Sequence, residues 1–148
     1  MKYTIFGLLN LLWLVGCQSD YDVITTEKFG DTFQLEIEKS IQVIGQSDTV
    51  GVTISSIDDS RCLEGVNCIR AGNAKVTISL SKVDWTVSTL CIGGCHLEDD
   101  RYEGFVEQDT LLYTLESQEY EVILKDVLPY PKEDSNTKKE AVLEINLK

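Results

Sequence analysis

Polar and apolar positions alternate with a period of two in one segment of this chain after another. Phe33, Leu35 and Ile37 alternate with Gln34, Glu36 and Glu38, and Ile41 and Val43 keep the same parity through Lys39. This predicts a long half-buried strand. Gly45 to Asp48 reads as a turn, after which Val50, Val52 and Ile54 alternate with Gly51, Thr53 and Ser55. Ala74, Val76, Ile78 and Leu80 repeat the pattern, and Trp85, Val87 and Thr89 read as the return strand. Cys91 to Gly104 has the composition of a loop, and Phe105-Val106 with Leu111-Leu112-Tyr113 predicts a hairpin. Tyr120, Val122 and Leu124 form a further strand, which Pro129 and Pro131 end because proline has no N–H to give a ladder. Beyond a charged loop over Lys132 to Glu140, Ala141, Leu143, Ile145 and Leu147 alternate to the C-terminus.

Seven to nine short strands with polar turns, and no stretch of helical period, predict an all-β fold. The expected architecture is an antiparallel immunoglobulin-like β-sandwich with Greek-key connections, with a small barrel as the alternative. Strand order is not readable from the pattern.

The first residues follow a different rule. Lys2 precedes an apolar run from Ile5 to Val15, broken only by Gly7 and Asn10. The run is too short to span a bilayer but has the length of a signal-peptide core. It ends in Leu14-Val15-Gly16-Cys17, which resembles the lipobox of bacterial lipoproteins. That resemblance implies a signal over residues 1–16 and acylation of Cys17, for instance with palmitate. Residues 17–30 are then anchor and tether, and 31–148 a single β-domain. Two or three acyl chains hold a protein stably to a membrane where one does so marginally. The acidic stretch Gln18 to Asp22 is loosely similar to surface-export signals of Bacteroidota lipoproteins. The expected location is the cell envelope, at the outer membrane, with the leaflet undetermined.

Charge and cysteines narrow the picture. The net charge is −12, and Lys2 is the only charged side chain in the signal, so the mature chain carries −13. Such a balance disfavours a phosphate-binding surface, and no nucleic-acid partner is expected. Of the five cysteines, lipidation of Cys17 leaves Cys62, Cys68, Cys91 and Cys95, an even number for disulfides in an oxidising compartment. Local pairs, Cys62–Cys68 and Cys91–Cys95, are the favoured connectivity. Gly65 lies inside the first loop and Gly93-Gly94 inside the second, where each helps the chain turn back. Cross-pairing remains open if the two loops meet at one end of the sandwich.

The stretch Asp58 to Ala74 holds the first cysteine pair. It resembles a signature of small exported bacterial proteins and lipoproteins: D-S-R-C-P, then V-x-C, an apolar residue, W-A-G and a strand. Tyr120 to Pro131 is similar to the later part of that pattern, a strand followed by P-Y-P, so the resemblance runs from Val50 to Lys148. Leu63 stands where the family has proline and Arg70 where it has tryptophan, while Cys91 and Cys95 lie outside the pattern. The family has no established function to lend.

Candidate chemistry is sparse. His96 is the only histidine, and no G-x-S-x-G, P-loop or H-E-x-x-H motif occurs. Ser60 has no evident local base, so no catalytic residues and no enzyme activity are expected. A zinc site from Cys62, Cys68, Cys91, Cys95 and His96 competes with disulfides, and the C-x5-C spacing is outside the usual zinc pattern. Glu98, Asp99, Asp100 and Glu103 offer oxygens to calcium but match no EF-hand loop. No metal and no cofactor are therefore expected. A loop closed by Cys62–Cys68 presents Leu63, Glu64, Val66 and Asn67 in a fixed shape, with Arg61 at its root, and a rigid loop loses little entropy on binding. Arg61 is expected to pair with Asp58 or Asp59, or to donate to carbonyls. The leading expectation is a lipid-anchored, non-catalytic structural or protein-interaction module that meets a membrane and an envelope protein. The alternative is a ligand-, metal- or protease-binding module centred on this loop. A concave pocket meeting both disulfide loops would favour ligand binding; a flat apolar patch would favour protein interaction.

Overall fold

The computed structural model describes residues 25–82, 85–96, 103–133 and 137–148. Among them are ten strands: β1 Thr25–Lys28, β2 Thr32–Glu36, β3 Ser40–Ile44, β4 Thr49–Asp59, β5 Asn73–Ser81, β6 Trp85–His96, β7 Glu103–Val106, β8 Asp109–Leu115, β9 Gln118–Leu128 and β10 Glu140–Leu147. They form a six-stranded sheet ordered β1-β3-β4-β5-β6-β7 and a four-stranded sheet ordered β2-β10-β9-β8. The two sheets pack into a sandwich that does not close into a barrel. Every pairing is antiparallel except that of β1 with β3. In the smaller sheet the hairpin-linked β8, β9 and β10 have β2 as neighbour on the β10 side, arriving from the far end of the chain.

The alternation does the work expected of it. Val50, Val52 and Ile54 of β4, Ala74, Val76, Ile78 and Leu80 of β5, Tyr120, Val122 and Leu124 of β9, and Ala141, Leu143 and Ile145 of β10 are all fully buried. Each such side chain contributes about 1.5–3 kcal/mol when removed from water, alanine less. The two inner faces together form one core.

Three expectations about strands are corrected. The continuous strand from Phe33 to Val43 is two strands in different sheets, β2 and β3. Glu38 adopts a positive φ of 63° between them, its N–H donating to Ile54 O at 2.8 Å. Parity survives the break because both halves face the same core from opposite sides. The hairpin expected over Phe105 to Tyr113 is instead a crossing: β7 pairs with β6, and β8 with β9 in the other sheet. Of the loop expected over Cys91 to Gly104, the described residues are strand: β6 runs through both cysteines to His96, and β7 begins at Glu103.

Two bulges reverse the inward parity at one end of the sandwich. In β4 the register slips at Ser55, so that Ile57 faces Val76 and Asp59 faces Ala74. In β9 it slips at Lys125, so that Val127 rather than Asp126 takes the buried position. A bulge adds one residue to one strand and turns every later side chain to the other face. Asp59 is carried inward in this way, and its side chain keeps only 2% exposure.

Candidate functional site

The end of the sandwich reached by β4, β6 and β9 holds both disulfides and a buried charge cluster. Asp59, turned inward by the bulge, receives Arg61: Nε to Oδ1 at 2.8 Å and Nη2 to Oδ2 at 2.9 Å. Arg61 Nη1 reaches Asp126 Oδ1 at 2.9 Å, and Nη2 also donates to the carbonyl of Val127. The ring of Tyr130 lies 4.6 Å from the guanidinium carbon. Lys139 closes the cluster, donating to Asp59 Oδ2 at 2.8 Å and to Pro129 O at 2.6 Å. One buried cation thus ties the end of β4 to β9 and to the Pro129-Tyr130-Pro131 segment, which follows a cis Leu128–Pro129 bond.

Burial alone would raise the Asp59 carboxyl. Hydrogen bonds from Arg61 and Lys139, with the Arg61 charge, outweigh it and hold the group below its ordinary value. Burial would likewise lower Arg61, and Asp59 and Asp126 more than compensate, so the guanidinium stays charged. A buried ion pair is strong only when its remaining donors and acceptors are satisfied, as they are here by a carbonyl and a second cation.

Arg61, expected at the root of a binding loop, is largely buried in this cluster and also lines the groove described below. The rest of that loop is outside: Leu63, Glu64, Val66 and Asn67 are all exposed. Cys62 and Cys68 are joined, with Cα atoms 5.9 Å apart. Cys62 N donates to Ala71 O at 2.9 Å, which closes the loop base, and Gly65 turns the middle with φ of 80°. Glu64 ties the loop sideways, through its N–H to Pro131 O at 2.9 Å and its carboxylate to Lys132 at 2.8 Å.

Cys91 and Cys95 are joined within β6, with Cα atoms 6.0 Å apart. An extended strand would separate them by about 13 Å at 3.3 Å per residue. The strand is bent at Gly93, φ 92°, where pairing with β5 ends and pairing with β7 begins. A Cβ at Gly93 would stand 2.7 Å from Gly72 O, so the first loop's last turn packs directly on the second loop's corner. Gly94 N donates to Gly72 O at 2.7 Å, and Asn73 Nδ2 to Gly94 O at 3.1 Å. The two disulfide loops are one assembly, yet each sulfur pairs locally. Buried Asp109, at the start of β8, accepts from Cys91 N at 2.8 Å and fixes the bent strand to the other sheet.

Between these parts lies a groove of about 350 Å³. Cys62 and Ala71 of the first loop, Ile92 and Gly93 of the second, and Val106 and Tyr130 line it, together with the charged Arg61, Glu107, Lys125 and Asp126. Phe105 stands on its rim, 71% exposed. The volume is at the small end of clefts that take organic ligands or single side chains. A larger cleft of about 430 Å³ lies beside β1, β2 and β3, but it is lined by Glu27, Glu36, Glu38 and Glu140 and by neither disulfide loop.

Other expectations meet the structure unevenly. The four disulfide sulfurs are bonded to one another, which removes the thiolates a zinc site would use. His96 ends β6 and is exposed, and among the described residues no three His, Cys, Asp or Glu side chains converge as a metal site. Cys17 and the acidic residues Glu98, Asp99 and Asp100 lie outside the described residues, as does the side chain of Glu103. Sequence reading missed Asp109, Asp126 and Lys139, each of which looks like an ordinary turn or loop charge. Only the short spacing of Asp59 and Arg61 offered a signal. Comparison with models of known families, with curated proteins and with solved structures brings no match.

Proposed function

We propose that this is a lipid-anchored binding module of the bacterial cell envelope, without catalytic activity, whose groove between the two disulfide loops holds an apolar side chain of a partner protein. The observation that carries the reading is the groove itself: it is concave and walled by both loops, which favours the ligand-binding alternative over a flat interface, and its small volume suits a single side chain as that ligand. The cross-links, the Gly72–Gly94 hydrogen bond and the Arg61 cluster fix its walls before any partner arrives, so little entropy is lost on binding. Aromatic residues such as Phe105 and Tyr130 supply large contact area at the rim, as anchors of protein interfaces do. The likeness of Leu14-Val15-Gly16-Cys17 to a lipobox and of Asp58–Ala74 to a signature of exported proteins supports an envelope location.

A photo-crosslinking residue at Phe105, in the full chain expressed in its own envelope, tests the binding reading. We expect a discrete adduct from that position, none from Ile44 at the opposite end, and loss of the Phe105 adduct on Tyr130→Asp. Equal labelling from both positions, or none, would leave the groove without a partner and return the sandwich to a purely structural role.

A further inference from the structure

The edges of the two sheets are unequal. Among the described residues the sheets end in β1, β7, β2 and β8. An edge strand carries unpaired N–H and C=O groups that another chain can match, and natural proteins blunt such edges with short strands, charges and irregular backbone. β1 has four residues and carries Glu27 and Lys28; β2 has five and carries Glu36. β7 has four and holds Gly104 at a φ of 129°. β8 has none of these devices along most of its length. It runs for seven residues in unbroken register with β9, and from Thr110 to Leu115 it has no charged side chain, proline or glycine. Leu112, at its middle, is 60% exposed.

The backbone groups that this edge presents can be named. Glu116 and Ser117 have φ of 50° and 68° and join β8 to β9 as a two-residue turn. Beside it, Glu119 is opposite Thr114, and Glu119 O accepts from Lys148 N at 3.0 Å on the β10 side of β9. Glu119 thus turns its backbone groups away from β8, and Thr114 turns its own to the free edge. In an antiparallel ladder this aim alternates, so Leu112 and Thr110 present their N–H and C=O outward as well, while Leu111, Tyr113 and Leu115 bond to β9.

We propose that this edge pairs with β8 of a second copy of the chain, antiparallel and about a two-fold axis at Leu112, so that the two smaller sheets become one. The run Thr110-Leu111-Leu112-Tyr113-Thr114 has the same character read from either end. An isologous interface needs that property, because each contact is made twice with the roles exchanged; a foreign strand does not need it. About this axis Leu112 meets its counterpart and Thr110 meets Thr114, so every outward N–H and C=O in the run finds a partner. Opposed threonines flanking an apolar pair are favourable cross-strand neighbours. On the inner face Leu111, half-buried against the core, comes opposite Tyr113. The register also suits a chain of net charge −12, since like charges directly opposite destabilise a ladder. Asp109 comes opposite Leu115 and Glu116 opposite Gln108, so no carboxylate faces another across the seam.

Cysteine pairing in the full chain, expressed in its own envelope, tests the register. Opposed residues of a hydrogen-bonded pair have Cα atoms about 5.5 Å apart, within the span a disulfide accepts. We expect Leu112→Cys to give a dimer that non-reducing electrophoresis shows and peptide mapping joins at position 112. Thr110→Cys alone should give none, because its two copies lie about 13 Å apart along the strands. Co-expression of Thr110→Cys with Thr114→Cys should link the one to the other, and this second design stands if Leu112→Cys fails to fold. Thr110→Lys with Thr114→Lys, added to Leu112→Cys, sets lysine opposite lysine and should cut the dimer several-fold. No dimer from either design, or as much from Thr110→Cys alone as from Leu112→Cys, would overturn the pairing. A disulfide from position 112 to a different protein would also overturn it, and would give the edge to a foreign strand.

Discussion

At the scale of single residues, Arg61 decides whether this end of the sandwich holds. We expect Arg61→Ala to cost about 3–5 kcal/mol, because it leaves the Asp59 carboxylate buried with Lys139 as its remaining cation. Urea unfolding measures this, and a loss below 1 kcal/mol would show the cluster to be ornamental. Glycines give a sharper contrast. A Cβ on Gly72 would lie 2.0 Å from Ser60 O, whereas one on Gly65 meets nothing within 4 Å. Gly65→Ala therefore carries only the left-handed backbone cost of about 1–2 kcal/mol, and Gly72→Ala must in addition push strand and loop apart. Comparable unfolding midpoints for the two variants would contradict this. The pairing of Arg61 was half legible beforehand: the sequence offered Asp58 or Asp59. The choice between them depends on the bulge at Ser55, and nothing in a run of Ser, Ser and Ile announces which residue will be extra.

At the scale of elements, alternation revealed the core positions of β4, β5, β9 and β10 but not which sheet each strand would join. β2 and β3 share one parity and yet belong to different sheets, because a strand that leaves one layer and enters the facing one keeps pointing at the same core. Glycines and cysteines misled in the other direction: Gly93-Gly94 between cysteines suggested a loop, while the structure uses them to bend a strand. The cross-links invite a graded expectation. Cys62→Ser with Cys68→Ser should lower stability by about 2 kcal/mol, the loop-entropy value for so short a ring. Cys91→Ser with Cys95→Ser should lower it further, since both residues are buried against Val106 and the substitution brings hydroxyls into that site. Calorimetry of the two double variants ranks them, and the reverse order would place the structural weight on the first loop.

At the scale of the whole molecule, carboxylates held below their ordinary values, Asp59 and Asp48 among them, make stability depend on acidity. Asp48 resembles Asp59 in that burial would raise it, while Lys82 at 2.7 Å and the Tyr120 hydroxyl hold it below its ordinary value of 3.8. Groups lowered in the folded state bind fewer protons there than when unfolded. Their contribution is therefore complete above the ordinary carboxylate range and is lost as pH falls below 3.8 through the folded values. Urea midpoints should be flat near neutrality and drop in acid, with a shallower drop in Asp59→Asn. An equally steep acid limb in that variant would remove Asp59 from the account. For the anchor, Cys17→Ser should release the protein from membrane fractions, and lipid labelling that persists on another residue would defeat the reading.

The position of β10 also sets when the protein can fold. This last strand lies between β2 and β9, and its Glu144 meets Thr32, 112 residues earlier, at 3.3 Å. Ala141, Leu143 and Ile145 are fully buried, so without them β2 has no neighbour in its sheet and the core lacks its central ridge. A chain synthesised and threaded from its N-terminus would thus stay open until residues 140–148 emerge, and pairing across so long a separation is slow by nature. A polypeptide ending at Lys139 should show no cooperative unfolding, and adding residues 140–148 as a separate peptide should restore it.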